Sequence, residues 1–265
     1  MKIHKKQISA EEAEIVNLIN ELSLKKYTLI QACDGNTLIE WEGCHVNRLY
    51  WNITQLYNDA VRPFHNITVP YFTKGIYSFM GTGEDISESD YRKYIDVEVK
   101  HLIARKFPID PFVSSVYLSV RNGIKELIQK NIRIDRFCLL HGDLYNGNIL
   151  WCNNRYALID FEFLRFGPPE IEWAFFLFWD LITEKNVEMR GKITQKIVEE
   201  LFELRKENLL SYTQEISIVY VFVPIILSAA LHYCGLQKYE DSNFIRRGIE
   251  IFWTKEYKTI QKAIR

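Results

Sequence analysis

The chain has 265 residues, of which 48% are apolar and 25% are charged, and its formal net charge at pH 7 is −1. This length suits one large domain or two smaller ones that share a core, and the composition is ordinary for a globular protein. A near-neutral charge argues against a polyanion-binding protein, so the expected partners are small molecules or other proteins and not nucleic acid.

Cysteine usage and the first residues of the chain predict a cytoplasmic protein. The five cysteines are odd in number and no pair has C-x-x-C spacing, which favours free thiols in a reducing compartment. Residues 1–9 are basic and polar, so no secretory signal is predicted. The apolar residues 216–237 are interrupted by polar residues and Pro224. A membrane span needs roughly 20 predominantly apolar residues, so a buried helix is the preferred interpretation.

The first predicted elements in chain order are a helix and a hairpin. The helix covers residues 9–22, where Glu12 completes a capping box and the later apolar residues fall on one face. Two short strands follow at residues 27–32 and 37–41. The Asp-Gly-Asn sequence between them is a strong signal for a tight turn, so these strands are predicted to pair.

The sequence after residue 43 predicts a mainly helical region with strands at its centre. The predicted helices lie at residues 47–60, 89–107, 111–130 and, with breaks, 169–265. Residues 63–87 are interpreted as an irregular connection, and residues 132–163 as short strands with polar turns. The expected layout is a small mixed lobe, residues 1–43, followed by a large helical lobe, residues 44–265.

One segment at the centre of the second lobe carries residues suited to chemistry. It reads H-G-D-L-Y-N-G-N-I-L from His141, and after a turn I-D-F-E up to Glu162. Phosphoryl transfer from ATP needs a carboxylate that orients the attacking hydroxyl and two oxygen ligands for magnesium. Asp143, Asn148 and Asp160 are the right types in the right order. Singly each is a plausible turn or loop residue, but jointly they favour a kinase.

These two motifs resemble the catalytic loop and metal-binding strand of the aminoglycoside phosphotransferase family and its choline-kinase relatives. They are a variant of the H-R-D and D-F-G motifs of protein kinases. The resemblance implies an α+β, protein-kinase-like two-lobe fold, with a truncated N-terminal lobe and a large mainly helical C-terminal lobe. It implies Asp143 as catalytic base, Asn148 and Asp160 as magnesium ligands, and His141 as a structural support for the loop. Gly142, where protein kinases have Arg, favours the small-molecule branch.

The same resemblance assigns roles to residues of the first lobe. Residues 37–43 take the place of the strand and hinge, with the backbone of Glu40, Trp41 and Glu42 binding adenine. Lys2 takes the place of the phosphate-binding lysine, and a solvated basic terminus is the alternative. The glycine-rich hairpin expected before this lysine is absent from the sequence.

Glu12 takes the place of the glutamate that ion-pairs with that lysine. Glu14 is an alternative candidate, and a solvated capping-box residue is the other interpretation of Glu12.

The predicted function is that of an ATP- and Mg²⁺-dependent phosphotransferase acting on a hydroxyl of a small molecule that is aminoglycoside-, choline- or sugar-like. The alternative is a kinase-like protein without catalysis, which the missing hairpin favours. Glu170 and Glu172 suit the start of a helix by charge, or they bind a cationic acceptor. Trp51, Trp173 and Trp179 are core aromatics, or they contact a quaternary ammonium group.

Overall fold

The computed structural model describes parts of both predicted lobes. The described residues are 2–8, 13, 17, 27–31, 37–66, 115, 116, 118, 119, 122, 138–161, 165–224, 226, 227 and 240–264. The strands are β1 (Lys2–Ile8), β2 (Tyr27–Gln31), β3 (Thr37–Gly43), β4 (Cys138–Leu140), β5 (Ile149–Cys152), β6 (Arg155–Leu158) and β7 (Arg165–Gly167). The helices are α1 (Ile53–Leu56), α2 (Arg62–His65), α3 (Pro169–Thr183), α4 (Val187–Lys206), α5 (Tyr212–Ser217), α6 (Glu240–Ile251) and α7 (Tyr257–Ala263).

The first three strands form an antiparallel sheet in the order β1-β3-β2. The predicted pairing of the second and third strands is confirmed, with Tyr27 opposite Trp41 and Gln31 opposite Thr37. Strand β1 pairs along the other edge of β3, so that Lys2 lies opposite Gly43. Strand β3 is therefore the central strand of this sheet.

A two-residue turn joins β5 to β6 and sets the spacing of the central motif. Asn153 and Asn154 at this turn have φ angles of 50° and 61°. Positive φ at both central positions is the geometry that suits the twist of a two-residue hairpin, and Asn tolerates it better than most residues. The hairpin places Asn148, just before β5, at the same end as Asp160, which follows β6.

The sheet of the first three strands continues into the hairpin through one bridge. Cys44, directly after β3, exchanges two backbone hydrogen bonds with Trp151 of β5, with N···O distances of 3.1 and 2.8 Å. This bridge places the end of the predicted hinge beside the strand that follows Asn148. Strand β4 pairs separately with β7, a strand that the sequence did not predict.

The helix predicted at residues 47–60 is observed in pieces and extends further. A short 3₁₀ turn at Arg48–Tyr50 ends before Asn52, whose side chain caps α1 by accepting the N–H of Gln55 at 3.0 Å. A π-helical turn at Tyr57–Val61 then leads into α2. Pro63 lies inside α2, so the prediction that an irregular connection begins there is wrong. The π turn is wider than a turn of α-helix, so it accommodates the ring of Pro63, a residue that has no backbone N–H to donate within a helix.

Helix α3 forms the centre of the large lobe. From Pro169 to Phe178 every side chain of this helix is buried, and the helix packs against α4, α6 and the π-helical turn Ile218–Phe222. The interpretation of residues 216–237 as buried is confirmed where the chain is described, since Ile218, Val219 and Phe222 are inaccessible to solvent. Within the described part of the chain, no helix combines the length and apolar character that crossing a membrane requires.

Candidate active site

Direct hydrogen bonds join two of the predicted residues of the central motif, Asn148 and Asp143. The side-chain amide of Asn148 donates to the backbone oxygen of Asp143 at 2.7 Å and to its Oδ2 at 3.0 Å. Both amide hydrogens of Asn148 are therefore directed at Asp143. The amide oxygen takes no part in these bonds and is the atom suited to bind a cation.

Asp160 is linked to this pair through Ile159, the residue directly before it. The backbone N–H of Ile159 donates to the backbone oxygen of Asn148 at 3.0 Å. Asp160 itself is partly exposed and has a φ angle of 69°, an uncommon conformation for a residue other than glycine. Such conformations store strain and concentrate at functional sites. The observed conformation fits the predicted role of Asp160, which stays a prediction.

Gly142 adopts a backbone conformation that accounts for its residue type. Its φ angle is 83°, a region that glycine enters without the steric penalty of a Cβ atom. This backbone conformation therefore explains why the residue before Asp143 is a glycine.

His141 supports the loop by hydrogen bonding, as expected from the resemblance. The side chain is fully buried, its Nε2 bonds to the backbone oxygen of Ile159 at 2.8 Å, and its Nδ1 accepts the N–H of Asp143 at 3.4 Å. Burial lowers the pKa of His141, against the opposing effects of Glu172 and the bond to Ile159. A neutral ring with its proton on Nε2 satisfies both bonds.

A buried pair outside the motif also holds the loop. Glu172 of α3 accepts the N–H of Gly142 at 3.0 Å through Oε1, and its Oε2 bonds to Nε2 of His65 at 2.5 Å. Burial alone would raise the pKa of Glu172, but the hydrogen bond and charge of His65 outweigh it and lower the pKa. Glu172 is therefore an ionised anchor for the residue before Asp143.

The interpretation of Glu170 and Glu172 as ligands of a cationic acceptor is not what the structure shows. Both side chains are buried, and Glu170 accepts a hydrogen bond from the Gln214 side chain at 3.1 Å. Trp51 and Trp173 are buried in the core, as the alternative interpretation expected. Trp179 is partly exposed and stacks on Phe175 with ring centroids 4.7 Å apart.

Tyr145 and Asp180 are further residues at the loop that the sequence interpretation missed. The Tyr145 ring lies so close to Gly147 that a Cβ atom there would fall 2.5 Å from it. Burial raises the pKa of Tyr145, and so do the negative charges of Asp143, Asp160 and Asp180. Tyr145 therefore lies within the field of three carboxylates, two of them in the predicted catalytic set.

The sequence of α3 contained a signal that its acidic residues are bonded inside the protein. The helix is apolar on all sides apart from Glu170, Glu172 and Asp180, and such a helix is expected to be buried. Acidic residues are almost never fully buried without partners. Each carboxylate on this helix was therefore a candidate for a bonded, structural or positioning role.

The remaining predicted residues lie in or near the three-stranded sheet. Lys2 begins β1, and Glu40, Trp41 and Glu42 lie in the last part of β3. Glu12 lies outside the described residues. The roles of these residues in nucleotide binding remain predictions.

The donor set at the loop suits a hard cation that keeps other ligands. Among the described residues, no three His, Cys, Asp or Glu side chains form a cluster that could hold a metal ion alone. Asn148 and Asp160 would supply one amide and one carboxylate oxygen. Mg²⁺ is commonly bound by one or two protein oxygens with substrate phosphates and water as the other ligands, so these residues fit it.

The fold and this loop are similar to those of the protein-kinase-like small-molecule phosphotransferases. The sequence model of the phosphotransferase enzyme family matches residues 90–195, a segment that contains Asp143, Asn148 and Asp160. No curated protein matches the chain.

Solved structures show the same fold along nearly the whole chain. A choline/ethanolamine kinase family protein from Mesorhizobium loti is 11% identical, with a TM-score of 0.59, covering 100% of this chain and 87% of that one. An aminoglycoside phosphotransferase from Alicyclobacillus acidocaldarius is 12% identical, with a TM-score of 0.57 and coverages of 99% and 86%. Amicoumacin kinase hAmiN, solved with AMP-PNP and Ca²⁺, is 16% identical, with a TM-score of 0.51 and coverages of 97% and 81%. The resemblance to this family, and the protein-kinase-like α+β fold that it implied, are confirmed.

Proposed function

We propose that this protein is an ATP- and Mg²⁺-dependent phosphotransferase that phosphorylates a hydroxyl group of a small molecule. The observation that carries the proposal is the double bond of Asn148 to Asp143, because it fixes a base and a metal ligand in one unit. Positioning and charge neutralisation are nearly all that phosphoryl transfer needs from a protein.

Each residue of the loop has a separate task in this proposal. Asp143 orients the acceptor hydroxyl and accepts its proton, and Asn148 keeps the Asp143 carboxylate in place. Asn148 and Asp160 would hold Mg²⁺, which when bound neutralises charge on the phosphates. Lys2 and Glu12 would steady the phosphates, and the backbone of residues 40–42 would bind adenine.

The charges near Asp143 favour an acceptor with a cationic group. Tyr145 lies within the field of Asp143, Asp160 and Asp180, and a concentration of negative charge attracts a cation. Amicoumacin kinase is described with AMP-PNP, Ca²⁺ and Ami, which supports a nucleotide donor and a small acceptor here. The described cysteines form no disulfide bond with one another, which suits a reaction in the cytoplasm, where ATP is available.

A thermal-shift titration with Mg-ATP tests the nucleotide and metal part of the proposal. A ligand at about a hundred times its dissociation constant stabilises the folded state by about 2.7 kcal/mol. We expect the wild-type protein to shift by several degrees and Asp160→Asn to lose most of the shift. Asn tolerates positive φ well, so this variant should fold.

Glu188→Gln serves as the control, because Glu188 is exposed and bonds only Lys192 among the described residues. It should shift like the wild type. A folded wild-type protein that shows no shift up to millimolar Mg-ATP would contradict the proposal and support the kinase-like protein without catalysis.

A further inference from the structure

The loop at residues 141–148 contains two glycines, and only one of them is explained by its backbone conformation. Gly142 has a φ angle of 83°, a region that favours glycine. Gly147 is not among the described residues with a positive φ, so its φ angle is open to other residues. Glycine at such a position carries an entropic cost that alanine avoids. A different feature of the loop therefore accounts for Gly147.

The side chain of Tyr145 fills the space beside Gly147. A Cβ atom at Gly147 would fall 2.5 Å from Cε2 of Tyr145, 2.6 Å from Cζ and 2.7 Å from the hydroxyl oxygen. Approaches below 3.0 Å are sterically excluded unless an atom moves, so the ring lies against the backbone of Gly147 itself. Tyr145 also packs against the hydrophobic core with part of its side chain exposed. Position 147 is therefore a glycine because the ring of Tyr145 needs this space.

The covered glycine lies in the turn that presents Asn148. Residues 146–148 form a 3₁₀ turn, which Tyr145 precedes in an extended conformation. The backbone N–H of Asn148 donates to the backbone oxygen of Tyr145 at 2.9 Å. Tyr145 therefore contacts the turn twice, through its backbone oxygen at Asn148 and through its ring at Gly147.

We propose that Tyr145 is a positioning residue whose ring holds the turn at residues 146–148, and with it the side chain of Asn148. Glycine has more conformational freedom than any other residue, so an uncovered Gly147 would loosen the turn. The two bonds from the Asn148 side chain to Asp143 require that this turn stays in place. The catalytic consequence rests on the proposed function, whereas the contact of the ring with Gly147 does not.

Hydrogen exchange of the Asn148 backbone amide tests the proposal without any need for turnover. We expect this amide to exchange roughly tenfold faster in Tyr145→Ala, which removes the ring, than in the wild type. Tyr145→Phe keeps the two ring carbons that approach Gly147, and its exchange should stay within about twofold of the wild type. Tyr50→Ala is the matched control, because Tyr50 is 79% exposed, and it should leave this amide unchanged.

Two outcomes of the exchange experiment would overturn the proposal. Unchanged exchange of the Asn148 amide in Tyr145→Ala would show that the ring does not hold the turn. Equal acceleration in Tyr145→Phe and Tyr145→Ala would show that the hydroxyl group, and not the ring, is responsible.

A double-mutant cycle tests whether the ring is the reason for the glycine at position 147. The three atoms nearest to a Cβ atom there all belong to Tyr145, so Gly147→Ala should displace the ring and accelerate the Asn148 amide by roughly tenfold. In the Tyr145→Ala background the added methyl group meets no ring, and Gly147→Ala should add less than about twofold. Gly191→Ala is the matched control, since a Cβ atom there meets no atom within 4 Å.

Equal effects of Gly147→Ala in the two backgrounds would show that the ring is not the obstacle and would overturn the proposal. The comparison of Tyr145→Ala with Tyr145→Phe decides the matter if Gly147→Ala does not fold, because neither of these variants introduces a clash.

Kinetics test the catalytic consequence once an acceptor is in hand. Tyr145→Ala should lower kcat by roughly tenfold with little change in KM for ATP, and Tyr145→Phe should keep the wild-type rate. A raised KM for ATP with unchanged kcat would overturn the positioning role. Failure of the proposed function would appear differently, as absent turnover in the wild type, and the exchange results would still decide whether the ring holds the turn.

Discussion

Burial raises the pKa of Asp180 to about 6 in the folded protein, from a reference value of 3.8. The folded state therefore binds this proton more tightly than the unfolded chain does. The stability that protonated Asp180 contributes is complete below about pH 4 and is lost as the pH rises through 6. At pH 7 the loss is at most about 3 kcal/mol, from roughly two pKa units of about 1.4 kcal/mol each.

Asp180→Asn should accordingly stabilise the folded protein at neutral pH. The expected gain in Tm over the wild type is several degrees at pH 7, since about 1 kcal/mol corresponds to about 2–4 °C for a chain of this size. The gain should shrink towards zero at pH 4, where wild-type Asp180 is protonated. Differential scanning calorimetry at both pH values measures it. A lower Tm for the variant at pH 7 would show that the charge is stabilising and would contradict the account.

At the residue scale, sequence reasoning found the candidate functional residues that lie together in one contiguous segment. Asp143, Asn148 and Asp160 were predicted because their order and spacing can be read along the chain. The bonds of Glu172 to Gly142 and to His65 were not predicted, because Glu172 lies 30 residues from Gly142 and 107 residues from His65. Such contacts depend on the packing of α2 and α3, and no local pattern encodes them.

At the scale of elements, helix α6 approaches α3 closely at one glycine. A Cβ atom added at Gly248 would fall 2.5 Å from the backbone oxygen of Ile182. Backbone cannot move aside as a flexible side chain can, so the two helices would have to separate. Arg190 adds to this junction by donating to the backbone oxygen of Gly248 at 3.1 Å and to the Glu256 carboxylate.

Two glycine-to-alanine substitutions in helices should therefore change stability in opposite directions. Gly248→Ala should lower the free energy of unfolding by about 1–3 kcal/mol through this clash. Gly191→Ala in α4 meets no atom within 4 Å, and should raise it by about 0.5–1 kcal/mol through helix propensity. Urea unfolding of both variants measures the difference. A stabilised Gly248→Ala would show that α3 and α6 are not in close contact.

Elements whose sequence carries a strong local signal were predicted, whereas very short elements and breaks within helical patterns were missed. The β2–β3 pair followed from the Asp-Gly-Asn turn signal, and β5 and β6 from short apolar runs with a polar turn between them. Strand β7 was missed because three residues pairing with β4 carry too little pattern of their own. The break at Trp51 was missed because Asn52 caps α1 within what reads as one continuous helical pattern.

At the scale of the whole molecule, the buried helices in the described part of the chain hold the loop at residues 141–148. Rings of Phe64, Phe161 and His141 pack against one another under the loop, and α3 holds its backbone. The fold was predictable through the resemblance of the central motif. The division into residues 1–43 and 44–265, and the roles of Lys2, Glu12 and residues 40–42, stay predictions because they rest on the resemblance alone.

The most direct measurement of the central claim is the Mg²⁺-dependent release of ADP from ATP in the presence of a panel of small hydroxylated amines. It should be made on the wild-type protein and on Asp143→Asn, which keeps the shape of the base but not its charge. The account predicts acceptor-dependent release by the wild type, a loss of at least a hundredfold in the variant, and a Mg-ATP thermal shift in both. Equal release by the two proteins would show that Asp143 is not the base and would contradict the account.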